Sequence, residues 1–306
     1  MPCFRPLSAW QRVTPGPNGK REIFFSTAAA QRFAVTPLTL PCGQCVGCRL
    51  DRAKGWALRC AHEALSWDQK AFLTLTYNPA NLPPGGTLYK KHFQDFMKRL
   101  RFHYANRKIR YYMVGEYGAK GDRPHYHAIV YGVDFEEDRV LLKKNRGNPL
   151  YRSPTLDRLW GHGFASIGNV TFQSASYCAR YCLKKITGEQ AKTHYQRVDT
   201  ETGEIYQVLP EYNNMSLKPG IGQGFFEEYS EDIFPHDYCI LEGKKVRTPR
   251  YYDRLLEKEN PALLEKVKLA RKRNAKKQAA NSTPERLAVR ETVLDAKLSK
   301  LHREIE

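Results

Sequence analysis

The order of short apolar patterns between residues 71 and 185 constrains the fold more than any other feature of the chain. Ala71–Tyr77 (AFLTLTY) is rich in β-branched and aromatic residues and stops at Asn78-Pro79, which predicts a strand. After the Pro/Gly loop of residues 81–86, Leu88, Phe93, Phe96, Met97 and Leu100 recur at helical spacing over Leu88–Tyr104. Arg110–Tyr117 and His125–Tyr131 predict two further strands, joined by a seven-residue loop of a length that suits a hairpin. Ser153-Pro154 is an N-cap followed by proline at the first helical position, and Gly161 closes that short helix. Phe164–Phe172 then reads as a strand and Gln173–Lys185 as a helix. Strand, helix, strand, strand, helix, strand, helix is the order of an α+β layer fold with helices packed on an antiparallel sheet; a continuous parallel βαβ sheet fits less well.

The flanks differ in character. The first 40 residues read as β-rich, with a turn at Pro17-Asn18-Gly19 between extended arms. A Gly-rich cysteine loop, PCGQCVGC (41–48), precedes an amphipathic helix over Leu50–Trp67. Between Gly188 and Met215, Asp199–Glu204 looks like the tip of an inserted hairpin. Residues 243–279 carry 13 Lys/Arg against 4 acids and are helical in propensity, with the helix expected to continue to Glu306. The expected organisation is an N-terminal segment with cysteine loop and helix (1–67), a central domain (68–240) with its hairpin near 189–212, and a basic helical tail (241–306).

With 50 Lys+Arg against 32 Asp+Glu and a formal charge of +18, the chain calls for a polyanionic partner, nucleic acid ahead of anionic membrane. No run approaches the roughly 18 apolar residues of a membrane span. The N-terminus, MPCFR, lacks a basic stretch followed by an apolar one, so secretion is not expected. Eight cysteines are too sparse for a disulfide scaffold, and their clustering suggests reduced, metal-binding thiols in a cytosolic setting. Cys42, Cys45 and Cys48 can converge on one tetrahedral ion, with Cys60 and His62 a short helix away and Cys3 another candidate for the fourth ligand. Structural zinc and three ion-free thiols both fit; an iron–sulfur cluster fits less, because the following Cys-Pro is missing.

Two constellations carry chemistry. His125 and His127 are i and i+2 on a strand, so both imidazoles project from one face, and Glu116 on the preceding strand can lie beside them. Two imidazoles and a carboxylate hold a divalent ion with positions left for a phosphate oxygen and water. The same residues also suit a half-exposed sheet face with no ion, and spacing alone leaves both open. Tyr177 and Tyr181 are i and i+4 on a helix, so the phenols share one face. A phenol is a poor nucleophile at neutral pH, with a pKa near 10, unless the attacked phosphate is already polarised. Lys184 or Lys185 could neutralise charge there; core packing is the other reading of paired aromatics, and Cys178 and Cys182 read as small packing residues. Lys90, Lys91, Lys98, Arg99, Arg101 and Arg110 supply a basic surface interleaved with Tyr89, Phe102, Tyr104, Tyr111 and Tyr112, a pattern that holds phosphates and stacks on unpaired bases.

Phe72–Tyr77 (FLTLTY), Pro124–His127 (PHYH) and Tyr177–Lys185, in that order, resemble the motifs of HUH-type rolling-circle replication initiators, in particular the replication proteins of gokushovirus/microvirus single-stranded DNA phages. PCGQCVGC and Met215–Gly222 (MSLKPGIG) add to the resemblance. It implies an antiparallel sheet of the ferredoxin/RNA-recognition arrangement and a site-specific DNA endonuclease and strand transferase dependent on Mg²⁺ or Mn²⁺. In that scheme His125 and His127 are metal ligands, and Glu116 is a third ligand of a kind that varies in the family. Tyr177 and Tyr181 are alternating nucleophiles forming a 5′-phosphotyrosine link and a free 3′-OH, and Lys184 or Lys185 contacts phosphate. Tyr126 stands where the family usually has an aliphatic residue. Implied partners are single-stranded or locally melted origin DNA and a host helicase and polymerase in the bacterial cytoplasm. The sequence has no G-x-x-x-x-G-K-[ST] loop, so ATP-driven unwinding must come from another protein. Two other classes compete: a non-catalytic single-stranded nucleic-acid-binding protein, and a zinc hydrolase using His125, His127 and Glu116 with activated water, which would leave no covalent adduct.

Overall fold

Strands buried on both faces carry nearly unbroken apolar runs, and the segments at 70–77, 110–117 and 124–131 are of this kind. The computed structural model describes residues 3–300 apart from 18, 119, 120, 146, 182–184, 187 and 200, with only the backbone at 145 and 181. The chain divides into two units.

One unit comprises the described residues up to Arg52 and from Leu269 onward. In it β1 (Leu7–Arg12), β2 (Ile23–Phe24) and β3 (Val35–Leu40) form an antiparallel sheet in the order β2-β1-β3, with the single-turn α1 (Thr27–Ala30) between β2 and β3. The turn expected at residues 17–19 joins β1 to β2, although Asn18 lies outside the described residues. Helix α2 (Val46–Leu65) starts within the cysteine loop, four residues earlier than its apolar spacing predicts.

The second unit, Ala53–Lys268, holds the main sheet. Its elements are β4 (Lys70–Tyr77), α3 (Lys90–His103), β5 (Arg110–Tyr117), β6 (Pro124–Tyr131), β7 (Val140–Asn145), β8 (Asn148–Arg152), α4 (Pro154–Trp160), β9 (Gly163–Gly168) and α5 (Phe172–Tyr181). There follow α6 (Glu189–His194), the hairpin β10 (Gln196–Val198) and β11 (Ile205–Gln207) with its tip where expected, and β12 (Tyr212–Met215). The seven strands lie in the order β12-β5-β6-β4-β9-β8-β7, every neighbouring pair antiparallel. The inner four with α3 and α4 make a βαββαβ unit, so the α+β antiparallel architecture read from the sequence is the one observed.

Period-two alternation divides the side chains between two layers. Leu73, Leu75, Met113, Ala128 and Val130 pack on Phe93, Phe96 and Leu100 of α3 and Leu156 and Trp160 of α4. Phe72, Tyr112, Val114, Ile129 and Tyr131 face the other way, onto small residues of α2 (Ala53, Ala57, Cys60, Ala64) and of α5 (Ala175, Cys178, Ala179). The chain after β12 packs on Leu58 of α2: α7 (Gln223–Ile233), the hairpin β13 (Tyr238–Leu241) and β14 (Lys244–Arg247), α8 (Arg250–Glu259) and the start of α9 (Pro261–Lys277) bury Phe226, Ile233, Tyr252, Leu256, Leu264 and Val267. No helix among the described residues is long and apolar enough to cross a membrane.

Three expectations need correction. The strand predicted over Phe164–Phe172 ends at Gly168, because Thr171 and Ser174 exchange hydrogen bonds (Ser174 N to Thr171 Oγ1, 3.1 Å; Thr171 N to Ser174 Oγ, 2.8 Å) and cap α5 from Phe172. The basic tail does not begin as helix: Glu242 and Gly243, at φ 47° and 73°, make the tight turn of the β13–β14 hairpin. Nor is it one helix, since Pro261 separates α8 from α9 and a short 3-10 turn at Ala279–Ser282 precedes α10 (Pro284–Ser299), capped by Thr283. Residues 301–306 of the expected helix lie outside the described residues.

A buried ion pair joins α2 to β5. Arg110 Nε donates to Glu63 Oε1 at 2.6 Å and its terminal nitrogen to the Pro219 carbonyl at 2.8 Å, while Glu63 Oε2 accepts from Gly222 N at 2.7 Å. Removing one partner leaves the other charged and enclosed. Glu63→Ala is therefore expected to destabilise the protein by about 3–5 kcal/mol, read as a lower midpoint in urea unfolding.

Candidate active site

Antiparallel register sets the site in rows. Glu116, His125, Thr76 and Phe164 are successive cross-strand partners on β5, β6, β4 and β9, and Val114, His127, Thr74 and Ser166 form the next row. Directly opposed residues project to the same face. Glu116, His125 and His127 therefore meet on the α2/α5 side, near the end of the sheet. Oε1 of Glu116 lies 3.0 Å from Nε2 of both histidines. The carboxylate is fully enclosed at 0% exposure, and the two histidines are buried.

The outer ring nitrogens decide what the inner ones present. His125 Nδ1 is 3.2 Å from the Arg123 carbonyl oxygen, which can only accept, so this nitrogen carries the proton. In the neutral ring that turns the Nε2 lone pair toward Glu116. His127 Nδ1 is held 3.0 Å from Thr74 Oγ1. Where Nε2 of these rings instead carries a proton, hydrogen bonds and charge from His125 and His127 outweigh the effect of burial and hold the Glu116 carboxyl at about 2. Lone pairs facing a carboxylate are favourable only with protons or a cation between them. For an octahedral ion with bonds of about 2.1 Å, adjacent ligand atoms sit about 3 Å apart, so the observed spacing fits a single divalent ion. Imidazole nitrogens suit zinc, copper, iron or nickel and a carboxylate oxygen suits Mg²⁺ or Mn²⁺, so the mixed set admits a divalent ion of either kind.

Tyr177 projects from α5 onto this set. Its ring stands edge-on to His127, with centroids 5.1 Å apart, and to Phe72, 6.1 Å apart, and it is 5% exposed. Cys178 Sγ lies 3.8 Å from the His127 carbonyl and is buried, so this cysteine packs α5 on β6. Tyr181 closes α5 one turn later, but its side chain, Cys182 and Lys184 lie outside the described residues; Lys185 is exposed.

The basic residues chosen from sequence fall elsewhere. Lys90, Lys91, Lys98, Arg99 and Arg101 are on α3, which covers the sheet face opposite the histidines. Lys91 and Lys98 pair with Asp95, Lys90 and Arg101 lie over the rings of Tyr212 and Tyr111, and Arg99 donates to the Leu159 and Trp160 carbonyls at the end of α4. Arg110, expected to meet DNA, is enclosed in its pair with Glu63. Cys60, expected beside the cysteine loop, sits in the sheet core, where its carbonyl accepts from the Tyr131 hydroxyl at 3.0 Å. The sulfurs that lie together are those of Cys3, Cys42, Cys45 and Cys48.

Sequence reasoning passed over Thr74 and Phe164. Thr74 orients His127. Phe164 is 63% exposed on the histidine face, two strand spacings or about 10 Å from His125. A Cβ at Gly163 would meet Asn78 N at 2.3 Å, so only glycine lets β9 start here and set Phe164 opposite Thr76. The signal was in the alternation: Ala165 and Ile167 face the α3/α4 core, leaving Phe164 out of phase with them. Losing the hydrogen-bond partner of a ligating imidazole costs about 10–100-fold in metal affinity. Thr74→Val is expected to weaken Mn²⁺ binding by that factor in calorimetric titration, with the circular dichroism spectrum unchanged.

Comparison with known proteins places relatives beside this chain. The family model for replication-associated protein ORF2/G2P matches residues 70–186, which span β4 to α5. The chain is 33% identical over 269 residues to the replication-associated protein VP4 of Bdellovibrio phage phiMH2K, covering 85% of this chain and 79% of that protein. It is 32% identical over 253 residues to the replication-associated protein ORF2 of Spiroplasma virus 4 (78% and 75% covered), and 31% over 228 residues to the replication-associated protein ORF4 of Chlamydia phage 1 (72% and 54%). No solved structure matches.

Proposed function

The chain belongs to the replication-associated proteins of microvirus-type phages, and from that premise we propose that it is a replication initiator that nicks and rejoins single-stranded or locally melted origin DNA through a tyrosine. The observation that carries this reading is Tyr177 standing edge-on to His127, beside a buried set of two imidazoles and a carboxylate.

Glu116 Oε1 and the Nε2 atoms of His125 and His127 would hold the ion, Mg²⁺ or Mn²⁺, which when bound neutralises and polarises the scissile phosphate. The remaining chemistry is the chain's own. Tyr177 Oη attacks phosphorus and its proton passes to solvent. The P–O3′ bond breaks, the departing oxygen takes up a proton as the free 3′-OH, and the 5′ side stays as a phosphotyrosine. Tyr181, one turn along the same helix, repeats the attack on a second phosphodiester, and the free 3′-OH displaces the first tyrosine to rejoin the strand. Lys184 or Lys185 contacts phosphate. For attack the Tyr177 ring must swing out from His127 and Phe72, and edge-on contacts of about 0.5–1.5 kcal/mol each leave that motion accessible.

A net charge of +18 supports a nucleic-acid partner. A free 3′-OH calls for a host polymerase, and without a P-loop in the sequence strand separation falls to a host helicase, all in the bacterial cytoplasm.

The test mixes full-length protein, Mn²⁺ or Mg²⁺ and single-stranded origin DNA, then resolves the products on a denaturing gel. A protein–DNA adduct is expected, weakened by Tyr177→Phe or Tyr181→Phe and abolished by the pair, and lost in His127→Ala while DNA binding persists. Cleavage with no adduct would instead indicate a hydrolase using activated water, and binding with neither cleavage nor adduct a non-catalytic coat.

Phe164 would stack an unpaired base beside the site, a contact worth about 1–3 kcal/mol. Phe164→Ala is expected to weaken single-stranded DNA binding by roughly 5- to 150-fold in fluorescence anisotropy, with adduct formation at saturating DNA retained.

A further inference from the structure

Away from the histidine site, the described residues hold one other group arranged as ligands: Cys3, Cys42, Cys45 and Cys48, whose sulfurs all lie within 4.8 Å of one another. They come from two segments 39 residues apart, Cys3 from the start of the chain and the rest from the loop leading into α2. Cys3 and Cys45 are buried, Cys42 and Cys48 half-buried.

Backbone amides point at these sulfurs. Cys42 N donates to Cys3 Sγ (3.3 Å), Phe4 N to Cys45 Sγ (3.4 Å), and Gln44 N and Cys45 N both to Cys42 Sγ (3.4 and 3.3 Å). Amide donors favour the anionic form of a sulfur. Cys45 and Cys48 also sit at the start of the 20-residue α2, where the helix dipole favours negative charge. Four thiolates this close would repel each other without a cation between them. Zn–S bonds of about 2.3 Å place tetrahedral sulfurs about 3.8 Å apart, inside the observed limit. An iron–sulfur cluster spreads its thiolates around several irons and needs wider spacing.

The surroundings explain what such an ion would do. The core at this node is small: Cys3, Phe4, Cys45 and Leu287 are buried, with Val46 and Leu294 partly so. Small cores need a staple. Leu287, Glu291 and Leu294 are i, i+4 and i+7 on α10, and the two leucines pack at this node while Glu291 pairs with Arg5 at 3.4 Å. The segment that α10 docks on is therefore the one Cys3 fastens.

We propose that Cys3, Cys42, Cys45 and Cys48 bind one zinc ion as four thiolates and that this structural site clasps α10 to the N-terminal segment. Binding exchanges four thiol protons for one Zn²⁺, with no oxidation or reduction.

The test uses the full chain purified under reducing conditions. Elemental analysis is expected to find one zinc per chain that survives dialysis, and Co²⁺ substitution to give the intense visible bands of tetrahedral thiolate coordination. Cys3→Ser should lose the retained zinc, whereas Cys60→Ala should keep it. Chelation should then speed hydrogen exchange across Arg286–Leu298 while amides of β4 and β6 stay protected. Four freely titrating thiols with no retained metal would overturn the proposal, as would two disulfides seen as a mass 4 Da lower than the reduced chain (one hydrogen lost per sulfur). So would retained iron in place of zinc, or a Cys60→Ala variant that loses zinc like Cys3→Ser. Unchanged α10 exchange on zinc removal would sink the clasp. None of these readouts depends on DNA nicking.

Discussion

One carboxylate oxygen 3.0 Å from two imidazole nitrogens is the constraint around which the main sheet is organised. Glu116 has no access to solvent, and an enclosed carboxylate without compensation costs several kcal/mol. Compensation from His125 and His127 on the neighbouring strand exists only in one register. A slip of one residue between β5 and β6 would turn both histidines into the α3/α4 core and leave the carboxylate alone. The hydrophobic rows behind the site, Phe72, Tyr112, Ile129 and Tyr131 against α2 and α5, stabilise that register. The same packing that fixes the sheet thus fixes the ligand geometry, and it sets α5 so that Tyr177 meets His127.

Much of this was legible because burial writes itself into periodicity. The segments of β4, β5 and β6 were read to within a residue, and the shared face of His125 and His127 follows from a period of two. The hairpin β7–β8 went unread for the opposite reason: at the sheet edge Val140, Leu141 and Leu142 are all more than half exposed, so no alternation of burial marks the strand. Arg110 was misplaced because a buried charge looks like a surface charge until its partner is known, and Glu63 is 47 residues away. Nearness in sequence did not put Lys90, Lys91, Lys98, Arg99 and Arg101 on the face of the histidines. A helix adjacent to a strand in the chain can cover either face, and α3 took the one without the histidines. Cys3 raised a similar difficulty, since a ligand contributed across 39 residues has no spacing signature.

The two ligand sets are chemically complementary. Three ligands of mixed nitrogen and oxygen leave coordination positions for water and a phosphate oxygen, which is what phosphoryl chemistry needs. Four thiolates would leave none, so the cysteine set, loaded as proposed, would be closed to substrate and would contribute stability. Their preferences also separate the ions. Zinc suits imidazole ligands and would compete with Mg²⁺ or Mn²⁺ at His125 and His127, because imidazole favours it over these harder ions. A soft sulfur quartet in the same chain would take zinc in preference to the harder set. With both sets loaded as proposed, limiting zinc would go to the cysteines and leave the histidine set to harder ions. Selectivity at the proposed catalytic position would then depend on the donor chemistry of both sets, with softness at one protecting hardness at the other.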